Sequence, residues 1–264
     1  MKKVIWYILI LICLVETGYI IFFTKNSYDN FSDSIAYSVL WTQCSAEYEA
    51  LCYQAFNGAK QYISKIKNKA KKQAIILDID ETVLNNVIYE ASLINSEYNE
   101  NIFIKWCKEI QAESICGAVD FCNFVKDSNI EIFYISNRSK IVLEETIENL
   151  KKLNFPYADK KHVLLKENAS DKQDRFNYVK TLGFDIVLYG NDKLDIFDKN
   201  FTNKNYIERK QWVKENKDKF GNLYIILPNI IYSDLYETLD KNYRKYSKSQ
   251  WNKIKYSFIK YWRK

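Results

Sequence analysis

The fold of this chain is decided by the stretch Ala74-Ile75-Ile76-Leu77-Asp78-Ile79-Asp80-Glu81-Thr82. Its leading apolar residues predict a short strand that is buried on both faces, as strands of a parallel sheet are. Asp78 and Asp80 follow, so that both carboxylates can face one site while Ile79 faces away. Carboxylates this close together at neutral pH need a cation, and hard oxygen ligands suit Mg²⁺. A turn followed by a helix cap is the alternative for this pattern in isolation.

Outward from this strand, short apolar runs alternate with stretches of helical spacing. The other predicted strands are residues 130–135, 162–165, 185–189 and 224–227, and the predicted helices are residues 46–69, 103–110, 118–126, 142–153 and 171–182. Strands separated by helices imply right-handed crossovers. The sequence therefore predicts an α/β fold with a doubly wound, mostly parallel sheet.

Composition describes a globular protein and excludes some partners. Hydrophobic residues make up 47% and charged residues 27% of the chain, and only 6 Gly and 2 Pro argue against extended linkers. The net charge of +6 comes from lysines interleaved with acids, without the basic stripe that binds a nucleic-acid polymer. Residues 246–262 are basic and amphipathic. We expect them to pack on the domain, with contact to an anionic membrane surface as the alternative.

The first 24 residues predict the location of the protein. Lys2 and Lys3 precede an apolar run over residues 4–15, which continues over residues 19–23. This pattern is typical of a signal anchor or a signal peptide, and it sends the rest of the chain out of the cytoplasm. We favour an uncleaved anchor, because no small-x-small triplet follows the run. Ile12 before Cys13 argues against lipidation, since a small residue is needed there.

The cysteines and the histidine predict no metal site. Six cysteines follow no metal-ligand spacing, and five of them lie outside the apolar segment, so at least one thiol stays free. Export would permit disulfides among the others. The single His162 precedes an apolar run and is typical of a strand edge. We therefore expect neither a zinc site nor phosphohistidine chemistry.

Polar residues also follow the other predicted strands. Ser136, Asn137 and Arg138 follow the second strand, and Asp192 and Asp195 follow the fourth. Ligands of an open parallel sheet bind beyond the carboxyl ends of its strands, so these side chains should meet the Asp-x-Asp pair there. A hydroxyl and an amide can hold phosphate oxygens, and a further acid can bind the metal. Three basic residues that can neutralise phosphate charge lie between these motifs in the sequence: Lys166, Lys172 and Arg175.

On these motifs, the chain resembles the haloacid dehalogenase (HAD) superfamily and, within it, the bacterial class C acid phosphatases, the lipoprotein e family of 5′-nucleotidases. The resemblance runs from about residue 40 to about residue 236. Its motifs are residues 41–48, 53–55, 78–82, 117–121, 133–138, 170–172, 186–189 and 227–229. It implies a HAD-like, Rossmannoid domain over 25–264 with a small, mainly helical cap, whose elements we place at about 40–70 and 88–116.

The resemblance also implies a reaction and its catalytic residues. We expect a Mg²⁺-dependent acid phosphatase that hydrolyses nucleoside 5′-monophosphates, nicotinamide mononucleotide included, outside the cytoplasm of a bacterium. Asp78 takes the position of the nucleophile, which forms an aspartyl-phosphate. Asp80 takes that of the general acid and base. The metal ligands are implied to be Asp78, the backbone carbonyl of Asp80, and Asp192.

The remaining implied roles concern phosphate and substrate. Ser136 takes the position of the phosphate-binding hydroxyl. Lys172 takes that of the charge-stabilising lysine, with Lys166 as our second choice. The predicted substrate-binding residues are Asn137, Arg138, Phe103, Trp106 and Tyr232. Packing on a helix face is the alternative for Phe103 and Trp106.

One motif departs from the family pattern. The usual Gly-Asp-Asn-Leu-Asp-Asp is here Asn191-Asp192-Lys193-Leu194-Asp195-Ile196. The resemblance implies that Ile196 replaces an outer-shell partner of the metal, which could cost ~10–100-fold in metal affinity or activity. Two alternative functions stay open.

The first is a phosphomonoesterase for substrates other than nucleotides, and the second is a non-catalytic surface-binding protein on a decayed fold. For the oligomeric state, a homodimer stays open.

Overall fold

The structure is a computed structural model of the chain. It describes residues 35–66, 72–94, 96, 98–167, 172–197, 201–232 and 235–262. The predicted signal segment over residues 1–24 and the motif residues 170 and 171 lie outside these ranges. Within them, no helix is both long enough and apolar enough to cross a lipid bilayer.

Seven strands and ten α-helices occupy the described residues. The strands are β1 (Gln73–Leu77), β2 (Leu84–Asn85), β3 (Glu113–Ser114), β4 (Glu131–Ser139), β5 (Val163–Lys166), β6 (Asp185–Asn191) and β7 (Tyr224–Ile226). The helices are α1 (35–44), α2 (Ala46–Ile66), α3 (Val87–Ser92), α4 (Glu100–Lys108), α5 (Ala118–Asp127), α6 (Leu143–Lys152), α7 (Gln173–Thr181), α8 (Tyr206–Glu215), α9 (Leu235–Leu239) and α10 (Lys248–Ser257).

The main sheet has five strands in the order β5-β4-β1-β6-β7, and every neighbouring pair is parallel. Leu77 at the end of β1 lies beside Tyr134 of β4 and Gly190 of β6. The chain builds outward from β1 in both directions, which places a topological switch point at the carboxyl end of β1. The predicted doubly wound parallel sheet is therefore confirmed.

The sequence of β1 suits this central place. All five of its residues are buried, and alternate side chains enter two hydrophobic clusters on opposite faces of the sheet. Ile75 and Leu77 lie in the larger cluster, which α2, α5 and α6 cover. Ala74 and Ile76 lie in the smaller cluster, with Phe176 and Val179 of α7. Because water is excluded from both faces, an unbroken apolar run is needed at β1.

Two strands extend further than their apolar residues predict. β4 continues through Ser136, Asn137 and Arg138 to Ser139, which lies beside Lys166 of β5. β6 likewise continues to Asn191. Backbone pairing carries these polar residues past the apolar runs, so residues predicted to follow the strands are strand residues. As a result, side chains at 136 and 138 face inward and the side chain of Asn137 is exposed.

The two regions predicted as cap differ in where they pack. Helix α2 buries Cys52, Phe56 and Ile63 in the main hydrophobic cluster, so it belongs to the layer that covers the sheet. Helices α3 and α4 follow the loop after β1, and the antiparallel pair β2–β3 accompanies them. Residues of α3 and α4 line the cavity described below. We therefore propose that the cap consists of the second region alone.

Candidate active site

A cavity of about 690 Å³ opens at the carboxyl ends of the central strands. Asp78 and Asp80 line it from the loop after β1, Ser136 lines it from β4, Lys172 lines it from the start of α7, and Asp192 lines it from the end of β6. Ile79, between the two acids, is buried in the main hydrophobic cluster. The structure thus brings the predicted catalytic and metal-binding residues together at one site.

Asp78 is held by its backbone and by both carboxylate oxygens. Its backbone N–H donates to the carbonyl of Gly190 (2.9 Å), where an added Cβ would lie 2.7 Å from the Leu77 side chain. Its Oδ1 accepts the Ile79 N–H (2.8 Å) and its Oδ2 accepts from Lys172 Nζ (2.5 Å). Burial, together with the charge of Asp80, raises the pKa of Asp78, and Lys172 acts against that rise. Asp78 is therefore a buried carboxylate whose charge depends on nearby cations.

Asp80 lies in a closed network of donors. Ser136 Oγ donates to Asp80 Oδ2 (2.9 Å), and Asn86 Nδ2 donates to Oδ1 (2.8 Å). Arg138 Nε and Nη2 both lie 2.8 Å from the same Oδ1. A carboxylate bound on both oxygens has little rotational freedom. Its orientation toward the cavity is therefore preset.

Arg138 is an internal residue. It is 2% exposed, donates to Asn86 Oδ1 (3.2 Å) and Thr146 Oγ1 (3.3 Å), and lies 5.7 Å from the Phe103 ring. Its five donors are thus directed largely at the protein, although it also lines the cavity. This geometry favours positioning of Asp80 over the predicted substrate binding.

We expect Arg138→Met to lower kcat roughly 100-fold with little change in KM, because a displaced Asp80 costs about that much in rate. Steady-state kinetics on one phosphomonoester measures both constants. A KM raised tenfold or more at unchanged kcat would instead indicate direct substrate binding.

Arg138→Met removes one partner of a buried ion pair, which costs about 3–5 kcal/mol of stability. A second, milder variant therefore tests the same hydrogen-bond network with less risk of unfolding. Trp106 is buried, and its Nε1 donates to Asn86 Oδ1 (2.8 Å). Trp106→Phe removes that donor and keeps a ring. It should lower kcat in the same direction by a smaller factor.

Asp192 completes the acidic site. Its Oδ2 accepts from Asn229 Nδ2 (2.8 Å). Burial, followed by repulsion from Asp78, raises the pKa of Asp192 to about 7. Two acids that repel one another, Asp78 buried and Asp192 half-buried, supply the hard oxygen ligands that suit a divalent cation. Among the described residues, no group of three or more His, Cys, Asp or Glu is arranged to hold a metal.

Lys193 and Ile196, the two residues after Asp192 that depart from the family motif, lie in different surroundings. Ile196 is 6% exposed and packs in the smaller hydrophobic cluster, which makes it a core residue of this chain. Lys193 Nζ lies 4.9 Å from the centre of the Tyr232 ring, and its charge partly opposes the burial that raises the pKa values of Asp192 and Glu90. Asp195 lines the cavity and accepts from Asn191 Nδ2 (3.1 Å). Lys193 thus adds positive charge at the cavity wall.

Two of the three predicted aromatic residues line the cavity. Phe103 is half-buried there, with its ring centre 5.0 Å from that of Tyr89. Tyr232 also lines the cavity and donates a hydrogen bond to Glu81. Trp106 does not line the cavity but packs beneath it on Asn86. The helix-packing alternative therefore describes Trp106.

The other predicted phosphate-binding residues lie at the rim. Arg175 donates to the Ser136 carbonyl (2.5 Å) and to Asn137 Oδ1 (2.7 Å), so it fixes the end of β4. Lys166 lines the cavity with its Nζ 3.6 Å from Glu100 Oε1. Lys172, by contrast, contacts Asp78 directly. The geometry favours Lys172 over Lys166 as the charge-stabilising lysine.

Four site residues received no role from the sequence. Asn86 links Asp80, Arg138 and Trp106, and Asn229 binds Asp192. Glu81, at a left-handed φ of 52°, accepts from the Asn86 N–H (2.8 Å) and from Tyr232. Glu90 is a buried carboxylate of the cavity wall, where burial raises its pKa to about 7. Two of the four carried a sequence signal, since Glu81 follows the Asp-x-Asp pair and Asn229 follows the last predicted strand.

His162 and the cysteines lie away from this site. His162 Nδ1 lies 2.8 Å from Asp159 Oδ1, and its Nε2 lies 2.8 Å from Glu131 Oε2. It is therefore a buried structural residue at the start of β5. Cys44, Cys52, Cys107, Cys116 and Cys122 are all free thiols.

A parallel sheet that opens at its switch point, with an Asp-x-Asp loop, a strand-end serine, a lysine and a third aspartate around one cavity, defines a phosphohydrolase of the HAD type. Comparison with known proteins agrees. The model of the family described as HAD superfamily, subfamily IIIB (acid phosphatase), matches residues 15–235. The chain belongs to this family and is a phosphomonoester hydrolase.

Solved structures of class C acid phosphatase resemble the whole fold. The enzyme from Bacillus anthracis is 32% identical, with a TM-score of 0.80, over 88% of this chain and 99% of that chain. A crystal structure of the Bacillus anthracis enzyme with tungstate bound matches at 32% identity and a TM-score of 0.79, with the same coverage of both chains. HAD phosphatases generally use a divalent metal, which agrees with the acidic site.

Proposed function

We propose that this protein hydrolyses nucleoside 5′-monophosphates outside the cytoplasm, with Mg²⁺, through an aspartyl-phosphate on Asp78. One observation carries the proposal: Asp78, Asp80, Asp192 and Lys172 line a single cavity, and Lys172 Nζ lies 2.5 Å from Asp78. A non-catalytic binding protein would not need a second acid held two residues beyond the first.

The proposed metal ligands are Asp78, Asp192 and the backbone carbonyl of Asp80. All are hard oxygen donors, which favours Mg²⁺ over softer metals. When bound, the ion would neutralise charge on the phosphate and reduce repulsion between Asp78 and the substrate. Asn229 orients Asp192 for this role through its hydrogen bond to Oδ2. Lys172, which contacts Asp78, would also neutralise charge on the phosphate.

The chemistry would proceed in two displacements. A carboxylate oxygen of Asp78 attacks phosphorus, the bond from phosphorus to the ester oxygen breaks, and Asp80 gives its proton to the leaving alkoxide. Asp80 then takes a proton from water as that water attacks the aspartyl-phosphate, and phosphate leaves Asp78. Ser136 and Arg138 hold Asp80 in one orientation through both steps.

The cavity wall supports a nucleotide substrate. Phe103 and Tyr232 both line the cavity that contains the acidic residues, and a base can stack on such rings. Polar groups beside them can bind a ribose or a base edge. The Bacillus anthracis relative has a crystal structure with tungstate bound, and because tungstate is an oxyanion shaped like phosphate, this supports a phosphate-binding site in the present chain.

The test compares AMP with p-nitrophenyl phosphate on metal-stripped protein before and after Mg²⁺ is restored. We expect no phosphate release without metal and recovery with Mg²⁺ on both substrates. Phe103→Ala should raise KM for AMP roughly tenfold, since a base–aromatic stack contributes about 1–3 kcal/mol. KM for p-nitrophenyl phosphate should change less.

Leu51→Ala is a matched control, because Leu51 is an exposed apolar residue of α2 outside this cavity. Equal effects of Phe103→Ala on both substrates would favour the broad phosphomonoesterase. If the protein with Mg²⁺ releases phosphate from none of the phosphomonoesters tested, the result would favour the non-catalytic alternative.

A further inference from the structure

The charge of residues 241–264, here called the basic segment, differs from that of the rest of the chain. Nine of the 39 Lys and Arg residues and none of the 33 Asp and Glu residues lie in this segment. Residues 1–240 therefore contain 30 basic and 33 acidic residues. The net positive charge of the protein thus resides entirely in the basic segment.

The described part of the basic segment is fixed to the domain at two points. Helix α10 begins with a capping box between Ser247 and Gln250. Trp251, 9% exposed, packs its ring 5.2 Å from Tyr236 and 5.7 Å from Tyr243. Further along, Phe258 meets Tyr206 edge to face at 5.6 Å. The predicted packing on the domain is therefore confirmed for one face of this helix.

Beyond that face, the basic segment exposes apolar side chains. Residues 256–262 are all exposed. Five of these seven are large apolar residues: Tyr256 (50%), Phe258 (37%), Ile259 (49%), Tyr261 (67%) and Trp262 (82%). Exposed Lys260 lies among them, and exposed Lys253 precedes this stretch. Single exposed apolar residues are ordinary, but a contiguous patch of them indicates an interaction surface.

We propose that the basic segment docks on the surface of an anionic phospholipid bilayer. Tyr and Trp favour the interface between lipid and water, where their rings meet acyl chains and their polar edges meet headgroups. Lysines beside them bind anionic headgroups. A soluble polyanion would match the charge of the segment but would leave the apolar side chains in water. Charge complementarity and exposed aromatics together therefore favour the bilayer.

The charge of the remaining chain sets the orientation. Residues 1–240 carry a small excess of acids, so an anionic surface does not attract them as a whole. By net charge, it is the basic segment that an anionic surface attracts. Tyr236 and Tyr243, which hold α10, also line the active-site cavity. Docking would therefore keep the cavity close to the bilayer.

Trp262 fluorescence in the full chain tests the proposal. Wild type and Trp262→Phe are mixed with vesicles of phosphatidylglycerol and phosphatidylcholine, or of phosphatidylcholine alone, with brominated acyl chains as quenchers. The difference between the two proteins isolates the emission of Trp262. We expect a blue shift and quenching with phosphatidylglycerol, weakened by salt, and neither with phosphatidylcholine alone. Attachment through residues 1–24 does not produce this signal, because the readout is Trp262 itself.

Charge variants supply the matched control. Lys253→Gln with Lys260→Gln should lower the ratio of docked to undocked protein on the order of 30-fold, since each lysine near an anionic surface contributes roughly a factor of five. Lys151→Gln with Lys180→Gln removes the same charge from exposed positions of the domain and should leave docking unchanged. The proposal fails if Trp262 emission is the same in buffer and in both vesicles, or if both double variants act alike. It also fails if heparin shifts the emission while lipids do not quench it.

Discussion

Asp78→Asn is expected to lower kcat for any phosphomonoester roughly 10⁴-fold or more, because an amide oxygen is a poor nucleophile toward phosphorus. The substitution keeps the shape of the side chain, but its single amide oxygen can accept from only one of the two donors, the Ile79 N–H and Lys172 Nζ. It removes the nucleophile and one proposed metal ligand together. Phosphate release from AMP with Mg²⁺ measures the loss.

The control for this prediction is Asp127→Asn, an identical change at an exposed residue of α5. Circular dichroism and thermal unfolding of both variants verify that the fold is retained. Asp78 is not the nucleophile if Asp78→Asn stays within tenfold of wild type while Asp127→Asn is unaffected. Acid quenching of wild-type protein with ³²P-labelled substrate would show the covalent phosphate directly.

Asp80→Asn is expected to lower kcat about 10²- to 10⁴-fold on AMP, the range for loss of a general acid and base. The effect should depend on the leaving group. A nucleoside 5′-alkoxide needs a proton as it leaves, whereas p-nitrophenolate leaves without one. With p-nitrophenyl phosphate, Asp78 should therefore still be phosphorylated. Hydrolysis of the resulting aspartyl-phosphate should be slow, because no base activates the attacking water.

Rapid-quench kinetics can separate the two steps. Asp80→Asn with p-nitrophenyl phosphate should release one equivalent of p-nitrophenol per active site in a burst, followed by slow turnover. Wild type under the same conditions provides the reference amplitude. Equal losses on both substrates without a burst would mean that Asp80 only supports the structure of the site. Arg138→Met should resemble Asp80→Asn in a weaker form if Arg138 acts through Asp80.

Much of the site could be predicted from sequence because its residues follow strands. Asp78 and Asp80 come directly after an apolar run that only a doubly covered parallel strand requires. Ser136 and Asp192 could be added because the carboxyl ends of parallel strands meet at one edge. These predictions needed the order of strands and helices, and no knowledge of side-chain contacts.

Residues that act through distant partners could not be predicted. Arg138 binds Asp80 across 58 positions of sequence, and Trp106 binds Asn86 across 20. Phe103 and Trp106 share one helix face by their spacing, yet only Phe103 reaches the cavity. Helical periodicity specifies which residues are neighbours on the helix, but it does not specify which structure covers each of them.

The sequence by itself determined the α/β class and the burial of β1, because local hydrophobicity and strand order encode them, and its resemblance to a known family identified Asp78 as the proposed nucleophile. The tertiary structure alone decided that Arg138 is buried on Asp80, that Ile196 packs in the smaller hydrophobic cluster, and that the basic segment exposes its aromatic residues. The burial of a side chain and its hydrogen-bond partners depend on how elements far apart in the chain pack together. A local sequence pattern does not specify that packing.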